Sequence, residues 1–448
     1  MSNKIVLKKG LNIPITGAAD LRVSRTIMPN IVAVKPSDFK GLLPRLLVKE
    51  GDAVKCGSPV MVDKKCSDIL ITSPVSGKVK EIVRGEKRKL IAVLIEADAE
   101  QEFVEFEAKN DSAENVRKAL LESGLWPWII QRPYGIIANP DFKPKAIFVS
   151  AFDTAPLSAD QEFTLGEETN AIQAGINALG KLTDGGIHVS VNSDNSNFLK
   201  LKDVKFHHFE GGKHPAGNVG VQISHICPIR KEDTVWTISL LGLACIGRLF
   251  IGKHYDVRRK VAIAGPMAIE PSYVSTVPGM PVSCIKGQFG ANASFTRVIS
   301  GNLLSGETVG VDGYLGYFDN TITLLKEGTE KELFGWMRPI RYKQFSTDHS
   351  YFSWLMPWRK YDMDTNLHGG PRAFVMSDQY YAKVLPMDIY PLYLTKACLA
   401  GDIDKMEKFG IYEVLPEDLA LCEYVDPSKN YIQDIIAKGI DLMLKEMA

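Results

Sequence analysis

The stretch from Ser123 to Ala155, SGLWPWIIQRPYGIIANPDFKPKAIFVSAFDTA, constrains this chain most, because a crowded aromatic loop in it runs into an apolar strand, Lys145–Ala151. In doubly wound α/β domains a turn feeding such a strand seats a dinucleotide or flavin. That task calls for glycines, since only a residue without Cβ lets phosphates approach the backbone closely. Here the turn carries Trp126, Pro127, Trp128, Arg132, Pro133 and Tyr134 instead. Bulky side chains stand where a phosphate cradle is expected.

With 448 residues the chain is long enough for two to four domains, each with its own core. Lys plus Arg balance Asp plus Glu at 53 each, so no overall charge points to nucleic acid or to an anionic membrane surface. The N-terminal MSNKIVLKKG lacks the apolar core of a signal peptide, and no run reaches the roughly 18–20 apolar residues that span a bilayer. Thr234 to Gly247 is uncharged but short, and reads as a buried helix. Seven cysteines (56, 66, 227, 245, 284, 398, 422) form no CxxC pair, which argues against a disulfide framework, a zinc ribbon or an iron–sulfur cluster held by this chain alone. A reduced, cytoplasmic protein is expected.

The pattern predicts a multidomain α/β plus β chain. Residues 1–30 read as an irregular N-terminal arm, with Pro14 and Gly17 breaking a short strand at Ile5–Leu7. In 31–100, strands at Pro44–Val48, Val60–Val62, Ile69–Ile71, Lys78–Ile82 and Ile91–Ile95 are separated by turns at Gly51-Asp52, Gly57 and Ser76-Gly77. In 101–259, a helix capped at Asp111 with Glu114 at capping-box spacing ends at Gly124. After the strand Lys145–Ala151 come a helix over Glu167–Leu182, strands at Ile187–Val191 and Lys205–Phe209, and one or two helices over Glu232–Ile251. This alternation argues for a parallel, Rossmann-like sheet with a degenerate nucleotide site. Residues 260–328 read as a small β-grasp, SLBB-like module whose Gly pairs are turns, since no strand-to-helix step follows them. Residues 329–448 begin with an aromatic linker, FGWMRPIRYKQFSTDHSYFSWLMPW, holding the patches Trp336-Met337 and Trp354-Leu355-Met356. Helices follow at Leu392–Ala400, Asp404–Phe409, Glu417–Cys422 and Ile432–Met447, making a C-terminal helical domain.

The phrase VKEGDAVKCGSPV…SPVSGKVKEI resembles the biotinyl/lipoyl barrel-sandwich domain. In that family a carrier lysine sits at the tip of a hairpin between the two halves. The resemblance places Cys66 at the lysine position, with Lys65 and Lys64 one and two residues early, so it implies a lipoyl-like barrel without its prosthetic group.

Other constellations carry less. His207, His208, His214 and His225 crowd one segment, but neighbours on a strand point to opposite faces, which disfavours a metal site. The Gly-Gly and Pro-Ala-Gly turns there offer an anion nest only weakly. Glu167-Glu168 falls at a helix start, where it offsets the dipole. No catalytic triad or Walker motif is present, and no acid–base pair is assigned. The loop Trp126 to Tyr134 remains the best ligand site. Its flat rings and one cationic fork suit stacking on and hydrogen bonding to a quinone, but a packing plug or a face buried against a partner is the favoured reading of the same residues.

Across nearly the whole chain the sequence is similar to the NqrA subunit of the bacterial sodium-translocating NADH:quinone oxidoreductase. The phrases carrying the match are KIVLKKGLNIPITG, LLVKEGDAVKCGSPV, LLESGLWPWIIQRPYG, AIFVSAFDTAPLSAD, HPAGNVGVQI and PEDLALCEYVDPSKNYI. That family is related to the C subunit of the Rnf complex and to the NADH-oxidising flavoprotein subunit of respiratory complex I. Those relatives carry a loop like GLGGAGFPT where this chain has Leu125 to Gly135, and C-terminal cysteine clusters where it keeps only Cys422, followed by Asp426 and Pro427.

The resemblance implies a cofactor-free peripheral subunit on the cytoplasmic face of the bacterial inner membrane. NADH, FAD, FMN and 2Fe-2S chemistry would then belong to the partner subunits, B to F, of a six-subunit sodium pump that reduces quinone. Docking to the membrane-embedded B subunit, and a role in the quinone step through Trp126, Trp128, Arg132, Pro133 and Tyr134, are expected, with Trp354 and Trp358 as docking residues. No catalytic, tightly bound cofactor or metal residue is assigned. Two alternatives are a flavin- or NADH-binding dehydrogenase subunit like that of the Rnf complex and a free lipoyl-type carrier.

Overall fold

The computed structural model describes residues 3–289, 294–328, 340–347, 349, 351–366 and 376–446. Residues 334–339, 348 and 350 of the aromatic linker, including Trp336-Met337, lie outside the described residues, as does Met447.

Alternating apolar residues and glycine turns produce two small sheets in the first hundred residues. One has the order Ile31–Val34, Leu90–Ala97, Gly77–Arg84, Ala53–Val54; the other has Pro44–Leu46, Pro59–Asp63, Leu70–Thr72. Every pairing in them is antiparallel. Val32, Val60, Met61, Ile71, Val93 and Ile95 fill their core at 0 % exposure. Gly77 is required where it stands, since a Cβ there would lie 1.9 Å from the Glu96 carbonyl oxygen.

A seven-stranded sheet runs Asn3–Val6, Val204–Glu210, Ile187–Val191, Ile147–Ser150, Val235–Thr237, Ile130–Arg132, Ile136–Ile137. The first five are mutually parallel; the last two join antiparallel. On one face the helices Ala113–Glu122, Thr169–Leu179 and Leu240–Gly252 share a core with Val149, Val189 and Val191. The other face packs Phe148 under Ile223 of the helix Val219–Ile226. A six-stranded mixed sheet follows, with the order Glu307–Thr308, Thr296–Ser300, Thr321–Lys326, Arg259–Ala264, Ser272–Thr276, Val23–Thr26. Helices Asp378–Val384, Pro391–Ala400, Ile403–Lys408, Ala420–Val425 and Ile432–Glu446 share a core that also takes in Leu7, Phe209 and Val221.

Several expectations are corrected. The N-terminal arm keeps a short strand close to the expected one, Asn3–Val6, which extends the seven-stranded sheet, and adds an unexpected one, Val23–Thr26, which extends the six-stranded sheet. Glu232–Ile251 is not purely helical, because Val235–Thr237 is a fully buried strand. The histidine-rich segment contains a helix, Val219–Ile226, that its Gly and Pro flanks concealed. The first helix is capped by Ser112, whose hydroxyl accepts from Asn115 N, one residue beyond Asp111. Among the described residues no helix is long and apolar enough to cross a membrane.

Candidate functional site

The loop after the first helix is placed by its own glycine and serine. Gly124 turns the chain at φ +73°, where a Cβ would meet the Thr72 side chain at 2.5 Å. Thr72 Oγ1 donates to the Ser123 carbonyl at 3.2 Å, tying the loop to the small antiparallel sheets. Trp126–Trp128 then forms one 3-10 turn with Pro127 inside it, and all three side chains are buried. The two indoles diverge. Trp126 donates Nε1–H to the Ala138 carbonyl at 2.7 Å and meets Trp236 edge-on at 5.5 Å. Trp128 meets Phe318 edge-on at 4.9 Å, and the Arg259 guanidinium lies 5.3 Å from its ring centre.

Arg132, the last residue of the strand Ile130–Arg132, is 1 % exposed. Its Nη1 donates to Asp418 Oδ2 and its Nη2 to Glu417 Oε1, each at 3.0 Å. Asp418 Oδ2 also accepts from Leu415 N at 3.0 Å, and its Oδ1 from Asn218 Nδ2 at 3.4 Å. These extra bonds offset the desolvation that makes an isolated buried ion pair costly. Gly220 leaves room for the pair: a Cβ there would lie 2.2 Å from Asp418 Oδ2 and 2.4 Å from Arg132 Nη1. Pro133 is buried behind it, and Tyr134 meets Tyr412 edge-on at 6.2 Å. Burial raises the Tyr134 phenol above its ordinary pKa, partly countered by a hydrogen bond with Tyr412.

The five residues therefore reach four different neighbourhoods instead of lining one pocket. Trp126 joins the sheet core; Trp128, the aromatic junction with Phe318; Arg132, with Pro133 next to it in the chain, the Asp418 contact; and Tyr134, the Tyr412 region. A cleft of about 440 Å³ lined by Arg230, Lys231, Asp404, Glu407 and Tyr412 includes none of them. Another of about 470 Å³ lies at Phe103, Glu105, Phe106, Lys253 and His254. Glu417 and Asp418, the partners of Arg132, fall in an expected helix and a family phrase but are not among the site residues that the sequence suggests. Pro416 at the first turn of a 3-10 helix with acidic residues after it is the only local sign of them.

Elsewhere the histidines sort as strand geometry requires. His208 turns to Asp194 at 3.2 Å, while its neighbour His207 meets His188 at 3.0 Å on the other face. Burial, and then His207, push the His188 imidazole down to about 4. His214 is likewise pushed down to about 4 by burial, with Nδ1 3.2 Å from Thr154 Oγ1. Among the described residues no group of three or more His, Cys, Asp or Glu is placed to hold a metal ion. Cys66 sits at the apex of the turn between Pro59–Asp63 and Leu70–Thr72, beside exposed Lys64 and Lys65. Cys422 is 1 % exposed inside the helix Ala420–Val425, and burial pushes its thiol far up. Trp354 and Trp358 lie at the surface, 48 % and 80 % exposed.

Three families match in succession: "NqrA N-terminal barrel-sandwich hybrid domain" over residues 5–98, "NqrA second alpha/beta domain" over 111–254, and "NQRA C-terminal domain" over 260–310. The chain is 37% identical over 455 residues to the A subunit of the Na(+)-translocating NADH-quinone reductase of Neisseria meningitidis serogroup A, covering 99% of this chain and 100% of that protein. The same subunit from Serratia proteamaculans is 37% identical, covering 97% and 99%. That of Yersinia pestis bv. Antiqua is 36% identical, covering 95% and 96%. Among solved structures, an NAD+-reducing [NiFe]-hydrogenase in the air-oxidized state aligns at TM-score 0.36 and 10% identity over 48% of this chain and 47% of that one.

Proposed function

The chain belongs to the NqrA family, whose members are the A subunits of the Na(+)-translocating NADH-quinone reductase, an oxidoreductase complex, and from that premise we propose that it is a peripheral subunit without a redox centre of its own. It docks on the cytoplasmic side of the membrane subunits, above all the one designated B, and helps complete or cover the site of quinone reduction. NADH, the flavins and the iron–sulfur centre belong to its partners.

The observation that carries this reading is the filled loop. A flavin or dinucleotide phosphate would need open backbone N–H groups at the turn, and the turn here is instead a 3-10 turn of three buried side chains, Trp126, Pro127 and Trp128. We take the parallel sheet as a Rossmann-like scaffold whose ligand crevice is closed by its own chain, and the last helices as a domain that helps close it. The divergence of the five loop residues favours a plug over a quinone pocket built from them. The turn at Cys66 similarly favours a barrel that carries no swinging arm.

Purified chain should show protein absorbance alone, and stoichiometric bound flavin would overturn the proposal in favour of a dehydrogenase subunit. Intact mass should equal the sequence mass; an added lipoyl or biotinyl group would make it a carrier. A quinone analogue should fail to saturate the isolated chain. Saturable binding lost in Trp128→Ala but retained in Trp354→Ala would instead place a pocket at the loop.

A further inference from the structure

A second surface, which holds the expected docking residues Trp354 and Trp358, has a composition of its own. The 3-10 turn Phe352–Leu355 is inside out: Ser353 is 3 % exposed, whereas Phe352, Trp354 and Leu355 are 49 %, 48 % and 55 % exposed. Trp358 at 80 % and Ile340 at 68 % are further exposed apolar side chains of the same segment. A water-facing turn would show the serine and hide the rings, so this surface is built to be covered. It is also held in shape. The Arg359 guanidinium lies 5.8 Å from the Tyr342 ring and 5.7 Å from that of Tyr361. Tyr361 is buried, donates its hydroxyl to the Ser353 carbonyl at 3.2 Å, and bonds through N–H to the Pro14 carbonyl at 2.8 Å.

Charge indicates what covers it. Lys343 and Lys360 of the same segment are exposed, and neither is in an ion pair among the described residues. The nearby carboxylate of Asp362 is engaged by the Thr16 hydroxyl. Protein interfaces enrich Trp, Tyr and Arg but are depleted of Lys. Exposed Trp and Tyr rings flanked by lysines are the composition of a membrane–water boundary, where rings sit among headgroups and ammonium groups meet lipid phosphates. With no helix able to span among the described residues, such contact is interfacial.

We propose that the surface formed by Ile340, Tyr342, Phe352, Trp354, Leu355 and Trp358, with Lys343 and Lys360 of the same segment, rests in the headgroup region of an anionic phospholipid bilayer. This rests on the peripheral placement proposed above, and adds that the lipid, as well as the protein partners, holds the chain in place.

The test is co-sedimentation of the full chain with phosphatidylglycerol-containing vesicles, against phosphatidylcholine vesicles, together with tryptophan emission. Binding to the anionic vesicles, a blue-shifted emission and weakening at high salt are expected. Trp354→Ala/Trp358→Ala and Lys343→Gln/Lys360→Gln should each lower partitioning about tenfold or more. Their unfolding midpoints should match the parent, since every altered side chain is at the surface. No vesicle binding by the parent chain, or equal binding by the variants, would overturn the proposal. If the parent ignores vesicles and the tryptophan variant loses its place in the purified complex, the cover is a protein. Vesicle binding is read on the chain alone, so its failure with an intact complex overturns only this inference. Failure to co-purify with the complex overturns the peripheral placement itself.

Discussion

Arg132 and Asp418 show how much one contact can carry when both side chains are out of water. Both are at most 2% exposed, so removing one partner strands a charge in a low-dielectric interior. Arg132→Ala should cost about 3–5 kcal/mol in denaturant unfolding. Arg132→Met with Asp418→Leu should cost clearly less than the sum of the single changes, because neither charge is then left alone. The buried histidines make a separate statement about pH. His214 is pushed down to about 4, so an unfolded chain takes up its proton first as pH falls below the usual imidazole range. Its contribution to stability is complete above about 6.5 and is lost progressively towards pH 4, on the order of 3 kcal/mol in all. Asp38 acts in the opposite sense. Burial pushes its carboxyl up to about 6 despite Lys35 at 3.0 Å, so the folded chain takes up that proton first and gains stability as pH falls from about 6 to 4. His214→Gln should flatten the acid loss of stability measured by urea midpoints, and Asp38→Asn should steepen it.

At the scale of elements, the two helices Thr169–Leu179 and Leu240–Gly252 approach through glycine. A Cβ on Gly247 would lie 1.7 Å from the Ala171 carbonyl oxygen, and one on Gly175 2.3 Å from that of Leu243. Gly247→Ala must push the pair apart, and should cost about 1–3 kcal/mol with a matching fall in melting temperature. Trp128→Ala should cost about 3–5 kcal/mol, since its ring fills the junction with Phe318 and Arg259. Which elements are legible in the sequence follows from how local their signals are. Ile187–Val191 is expected and found with the same bounds, because β-branched alternation and a Gly-Gly start are written within a few residues. Val235–Thr237 is not separable from the helix after it, since a fully buried strand and a buried helix are both simply apolar. The aromatic loop shows in its own residues that the turn carries Trp, Pro and Arg in place of glycines. That its Arg132 would find Asp418, 286 positions away, has no local signature at all.

Across the whole molecule, these distant contacts make the C-terminal helices part of the α/β core. They cover Leu7, Phe209 and Val221 and supply both carboxylates to Arg132. Deleting residues 377–448 should therefore expose a broad apolar face along with an unpaired guanidinium. Size-exclusion chromatography should find aggregate in place of monomer, with strong binding of a hydrophobic dye. An intact, soluble, dye-free fragment would mean that the α/β core does not depend on the carboxyl-terminal helices.

The N-terminal strand carries a consequence of another kind. Among the described residues Asn3–Val6 pairs only with Val204–Glu210, and Val23–Thr26 only with Ser272–Thr276, each partner lying about 200 or more residues later. At about 5–20 residues per second of translation, the first strand waits roughly 10–40 seconds on the ribosome before its partner is made. During that interval its free edge and apolar side chains are available to any passing chain or chaperone. Slowing translation should lengthen this window without altering the finished protein.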